Sequence, residues 1–132
     1  MHAQGPFDVQ LAPTSSDHAS SAAIGRMMID KRYHGDLEAT GHGQMLAHRT
    51  ATPGLAGYVA MEIVAGTLGG RSGSFVLQHS GSMAQGSASL VVEVVPDSGT
   101  GALVGIAGRM AIVIEGGKHS YAFDYTLPGN DG

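Results

Sequence analysis

The chain has 132 residues, a net charge of −4 and only 14% charged residues, which suits a single domain and excludes the basic surface that a nucleic-acid backbone requires. It contains no cysteine, so disulfides and thiolate metal sites play no part, and the composition is compatible with a reducing cytoplasm. The first residues carry neither the basic nor the apolar stretch of a leader, and no apolar run approaches the ~18 residues of a spanning helix, so a soluble cytoplasmic protein without a membrane partner is expected.

The 21 glycines follow no Gly-X-Y repeat and lie among Val, Ile, Thr, Ser and Tyr. They read as the turns and bulges of an all-β domain. Residues 1–6 are expected to form a tail, and Phe7, Val9 and Leu11 then alternate with polar residues as a half-buried first strand. A polar loop from Pro13 to Ser21 follows. Further strands are predicted over Ala23 to His34, Leu37 to His48, Gly57 to Leu68, Arg71 to Met83 and Ser89 to Val95. Arg49 to Ala56, with Pro53 and Gly54, is a longer loop. From Pro96 to Gly101 the chain reads as a long turn leading into a short irregular strand. Gly108 to Glu115 and Lys118 to Leu127 complete the set, with 129–132 as a second tail. Eight strands at this spacing suit a meander or barrel, and with almost no helical periodicity a closed antiparallel β-barrel is predicted.

Gly35-Asp36, Gly69-Gly70 and Gly116-Gly117 each offer residues that tolerate positive φ, and each is predicted to be a two-residue hairpin turn. The last of these turns sets Arg109 opposite Asp124 and Glu115 opposite Lys118, two opposite-charge pairs expected to form on an outer face. Met110, Ile112, Ile114, Tyr121, Phe123 and Tyr125 fall together on the other face. The Gly69-Gly70 turn gathers Tyr58, Ala60, Glu62 and Val64 with Phe75, Leu77 and His79, placing Glu62 opposite Leu77 and diagonal to His79. The Gly35-Asp36 turn sets Tyr33 across from Glu38, on a polar face shared with Thr40, His42 and Gln44.

Several motifs fail. Gly99-Thr100-Gly101 lacks the third glycine and the following helix of a dinucleotide fingerprint, and no helix follows Gly70-Arg71-Ser72-Gly73 to make a nucleophile elbow. The seven histidines contain no pair at metal-clamp spacing, so no metal or other cofactor is expected. Glu62 and His79 stand out because each interrupts an apolar strand face. A buried carboxyl has its pKa raised and can act as general acid or base with His79 as partner or proton carrier; the structural alternatives are an internal ion pair that fixes register and an outward-facing residue if the hairpin slips by one. Tyr58, Tyr121 and Tyr125 have apolar bodies and hydroxyl tips, suited to a pocket or to core packing.

Gly35-Asp36-Leu37-Glu38-Ala39, Gly57 to Glu62, Gly70 to Gly81, Val95 to Gly101 and Lys118 to Tyr125, in this order and spacing, resemble a bacterial family of small proteins of unknown function. That family is grouped structurally with the allene oxide cyclase-like barrels, which include the plant dirigent proteins. The resemblance implies an eight-stranded antiparallel barrel of calycin-like appearance, often oligomeric, whose cavity can hold a hydrophobic molecule. It carries over no catalytic residue from the plant enzyme.

The expected function is binding of a small hydrophobic or amphipathic molecule inside the barrel, with isomerisation or cyclisation as the associated chemistry. Glu62 and His79 are the candidate catalytic residues; Tyr58, Phe75, Leu77, Glu38, Tyr33, Tyr121 and Tyr125 are the candidate ligand contacts. A non-catalytic carrier and a filled barrel acting through its surface are the alternatives, since eight strands can enclose packed side chains or one small ligand. Val59, Met61, Ile63 and Val76 form an apolar stripe on the outer face, from which a homo-oligomer is expected.

Overall fold

The computed structural model describes residues 1–13, 24–49, 56–84 and 87–128. Eight strands run in chain order: β1 (His2–Pro13), β2 (Gly25–Tyr33), β3 (Leu37–Arg49), β4 (Ala56–Leu68), β5 (Arg71–Ala84), β6 (Ser87–Val94), β7 (Ala107–Glu115) and β8 (Lys118–Thr126). Each pairs antiparallel with its sequence neighbours, and β1 pairs with β8, so the sheet closes into a barrel without edges. Among the described residues no helix is long and apolar enough to cross a membrane.

Alternation along the strands decides what goes inside. On β4, Ala60, Glu62 and Val64 are buried between exposed Val59, Met61 and Ile63; on β5, Phe75, Leu77 and His79 are buried. Gly69 and Gly70 turn with φ of 58° and 83°, and Gly116 and Gly117 with 57° and 78°, the backbone that matches strand twist in a two-residue hairpin. The expected registers follow: Glu62 faces Leu77, and Arg109 faces Asp124.

Four expectations are corrected. His2 to Pro6 are not a tail; they belong to β1 and pair with β8, where Ala3 is buried. The β2–β3 connection spans three residues, His34 to Asp36, so Tyr33 faces Ala39 and not Glu38. This single-residue slip sends Tyr33 inward and leaves Glu38 outside, where it accepts a hydrogen bond from Gly35 N. Between β6 and β7 there is no irregular strand; a single 3-10 turn, Gly101–Leu103, takes its place. Arg109 and Asp124 are aligned but do not bond each other: Arg109 Nε lies 3.6 Å from Glu93, and Asp124 lies 2.8 Å from His2 Nδ1. The loop expectations over 14–23 and 50–55, and the tail at 129–132, lie outside the described residues.

The core occupies one half of the barrel. Phe75, Phe123 and Tyr125 stack there with Leu37, Leu68 and Leu77, and Leu103 and Ile106 close that end. The 3-10 turn is held over this end by Thr100 N donating to Ser74 O at 2.8 Å. Tyr121 joins β8 to the β2–β3 connection: its hydroxyl donates to His34 O at 2.7 Å and accepts from Leu37 N at 2.8 Å. The filled half is therefore a rigid base on which the other half stands.

Candidate functional site

Above the packed half lies a cavity of about 430 Å³. Its wall is apolar, with Val9, Ile29, Met45 and Ile112 among the lining side chains. It reaches solvent at a rim that includes Leu11 and Ile114, 51% and 63% exposed. The volume falls in the range of small-molecule sites.

The floor of this cavity is polar. Lys31 from β2, Glu62 from β4 and His79 from β5 are the buried charged or polar side chains of the barrel interior among the described residues. Lys31 Nζ lies 3.1 Å from Glu62 Oε1, and His79 Nε2 lies 2.8 Å from the same oxygen. Tyr33 donates its hydroxyl to Glu62 Oε2 at 2.5 Å. Each carboxylate oxygen thus has a donor, as a fully buried carboxylate requires. Lys31 Nζ also sits 5.1 Å from the Phe7 ring centroid, and Phe7 lies 5.3 Å from the His119 ring. A line of contacts from His119 through the Phe7 ring to Lys31, Glu62 and His79 runs across the barrel.

Lys31 and Glu62 are on strands separated by β3, and the sequence of β3 lets them meet. Lys31 faces Gly41 and Glu62 faces Gly43 in the strand register, so the inward positions of β3 are without side chains where the two must bridge. A Cβ on Gly41 would overlap Glu62 Oε2 and crowd the Tyr33 ring. Glycine is required here for space.

Burial alone would push the Glu62 carboxyl up, but the His79 hydrogen bond, the Lys31 charge and the Tyr33 hydroxyl outweigh it and hold the pKa below the ordinary 4.5. The expected upward shift is corrected: neighbours supply more stabilisation of the charge than burial removes. Burial, then the Glu62 charge, push Tyr33 well above its ordinary 10.0, so it remains a donor. An ionised carboxylate only accepts, hence His79 carries hydrogen on Nε2. Its Nδ1 is the second ring nitrogen of a side chain that lines the cavity: an acceptor in the neutral ring, a donor in the protonated one. Chemically, the floor can orient a polar group with Lys31 and move a proton at His79 Nδ1.

The expected site residues separate into groups. Glu62 and His79 meet as predicted, and Tyr58 lines the cavity. Tyr33 lies beneath the floor as a Glu62 partner. Phe75, Leu77, Tyr121 and Tyr125 are placed in the packed half instead of along the cavity, because their strand positions lie toward the end closed by Leu103 and Ile106. Glu38 faces solvent beside His34. Lys31 was missed. Its signal was the inward alternation of Ile29, Lys31 and Tyr33, hidden by the assumption of a two-residue turn before β3.

Residues 3–125 match a family described as protein of unknown function (DUF3224). The chain is also similar to the crystal structure of a protein with unknown function from the DUF3224 family of Shewanella oneidensis MR-1. The two share 48% sequence identity, 96% of each chain is covered, and the TM-score is 0.89. No curated protein matches the chain.

Proposed function

We propose, for a chain that belongs to the DUF3224 family, that the open half of the barrel binds a small hydrophobic or amphipathic molecule. The observation that carries this reading is the apolar-walled cavity of about 430 Å³ with a polar floor built from three different strands. Convergent polar groups at the base of an apolar pocket are the usual design of a small-molecule site. The five sequence blocks resemble a family grouped with the allene oxide cyclase-like barrels, and a cavity able to hold a hydrophobic molecule is what that grouping implies. In an isomerising or cyclising reaction, Lys31 would polarise an oxygen of the ligand and His79 Nδ1 would carry the proton, with Glu62 holding both groups in place. Glu62 would be a positioning residue, because its oxygens are occupied and the side chain has no exposure.

One observation favours a non-catalytic carrier as the second reading: both Glu62 oxygens are already taken by Lys31, His79 and Tyr33, which leaves this carboxylate a poor base. In either case the interior is filled only in one half.

The test is titration with Nile red, a neutral apolar fluorophore. Saturable, equimolar binding to the native chain is expected, and Ala47→Phe, which fills the cavity from β3, should abolish it while the melting temperature is kept. No saturable binding to the native chain would overturn the reading. Conversion of a bound substrate that is lost in His79→Gln without loss of binding would distinguish catalysis from carriage.

On the outer wall, Leu46, Val59, Met61 and Ile63 are 45%, 53%, 51% and 57% exposed on adjacent β3 and β4. We propose that a second copy of the chain covers this patch, with little charge in the way to oppose it.

A further inference from the structure

Beside the neutral hydroxyls of Tyr58, Ser82 and Ser89, the apolar cavity presents a one-sided set of ammonium and imidazole groups. Lys31, His48, His79 and His119 line it, and among the described residues that do so there is no Asp or Glu. This runs against the composition of the chain, whose net charge is −4. Glu62 is no exception: it has no exposure and lies behind Lys31 and His79, which take one of its oxygens while Tyr33 takes the other. What faces the cavity is therefore the donor side of an internal ion pair.

We propose that the ligand is amphipathic with an anionic oxygen head, a carboxylate, bound head-first at the floor against Lys31, with its apolar body directed along Val9, Ile29 and Ile112 toward the rim. The inference rests on the cavity being a ligand site and specifies which ligand. An ammonium carries three N–H donors. Glu62 Oε1 receives one, and the Tyr33 hydroxyl stands at a longer 3.5 Å, so a further donor can reach a head group above. Next to Lys31, His79 lines the cavity and can donate through Nδ1 when its ring is protonated, while His119 stands across the Phe7 ring. A carboxylate at this place accepts charge-assisted hydrogen bonds in an apolar surrounding, where they are strongest. An ammonium head would meet Lys31 with no carboxylate exposed to receive it, and a neutral hydroxyl would accept a weaker hydrogen bond from the ammonium than a carboxylate does.

The experiment compares octanoate, 1-octanol and octylammonium by calorimetric titration at pH 7. Octanoate is expected to bind about tenfold or more tightly than octanol, and octylammonium the most weakly. Lys31→Met should bring octanoate to the level of octanol. Because that variant leaves Glu62 without its cation and can fail to fold, Lys31→Met/Glu62→Gln removes both charges together and should show the same loss of preference. Equal binding of octanoate and octanol by the native chain, or tighter binding of octylammonium, would overturn the anionic-head inference and leave the cavity reading standing. Absence of binding by all three, together with Nile red, would overturn both. An octanoate preference that persists in the double variant would also reject Lys31 as the head-group partner.

Discussion

Lys31, Glu62, His79 and Tyr33 form one unit, and removing a member should cost more than its own hydrogen bond. Glu62→Gln keeps the shape of the side chain but puts an amide against the Lys31 ammonium and leaves a buried cation without its counter-charge. A loss of about 3–5 kcal/mol is expected in urea unfolding. The double variant Lys31→Met/Glu62→Gln should lose less than Glu62→Gln alone, since no charge then remains uncompensated; an equal or greater loss would show that Lys31 contributes little to the network. The pH dependence has a definite sign. The folded pKa of Glu62 lies below the unfolded value of about 4.5, so between the two the unfolded chain binds more protons and stability rises with pH. The contribution is complete above the unfolded pKa and disappears as pH falls through the folded one. The stability gap between the native chain and Glu62→Gln should therefore be constant from pH 5 upward within the glutamate contribution and shrink below pH 4.5. Gly41→Ala tests the steric argument: the added Cβ collides with the Glu62 carboxylate, and a marked fall in melting temperature is expected where a glycine on an open strand would tolerate alanine.

At the level of elements the barrel is unevenly sewn. β4 pairs with both neighbours along its whole length, from Ala56 to Leu68, whereas β6 and β7 share a single pair of facing residues, Glu93 and Arg109. The long connection through Pro96 and the 3-10 turn leads the chain over the packed end before it returns, which shortens the ladder between these strands. Amide hydrogens at the β6–β7 seam should exchange faster than those in the middle of β4, as measured by native-state hydrogen exchange. Uniform protection of both would contradict a seam of lower local stability. The Arg109–Glu93 pair across it is exposed, so Arg109→Ala should change global stability by less than about 1 kcal/mol.

The molecule as a whole combines a filled end, which locates strands, with an open end, which leaves room. This division explains why Phe75 and Tyr125 belong to the core while Tyr58, with a similar ring, belongs to the cavity. The outer apolar patch makes a prediction of its own. Sedimentation should show self-association of the native chain at micromolar concentration, and Met61→Lys, placed in the middle of the patch, should shift it to monomer without altering the melt. A native chain that sediments as a monomer would remove the proposed second copy.

Local pattern determined the eight strands and the meeting of Glu62 with His79, whereas the pairs that close the barrel between β1 and β8 run through His2 to Pro6, which alternation left as a tail. Period-two alternation assigns faces, and paired glycines at 69–70 and 116–117 set register through backbone geometry. Tertiary structure decided the rest. Whether the turn at Gly35 has two residues or three depends on what β2 must bury, and that choice turned Lys31 and Tyr33 inward. The direction of the Glu62 pKa likewise depends on donors from β2 and β5 that are far away in sequence. Alternation says which face a side chain takes but not how deep it lies along the barrel axis, so the division into packed half and cavity was settled only when Leu103 and Ile106 closed one end.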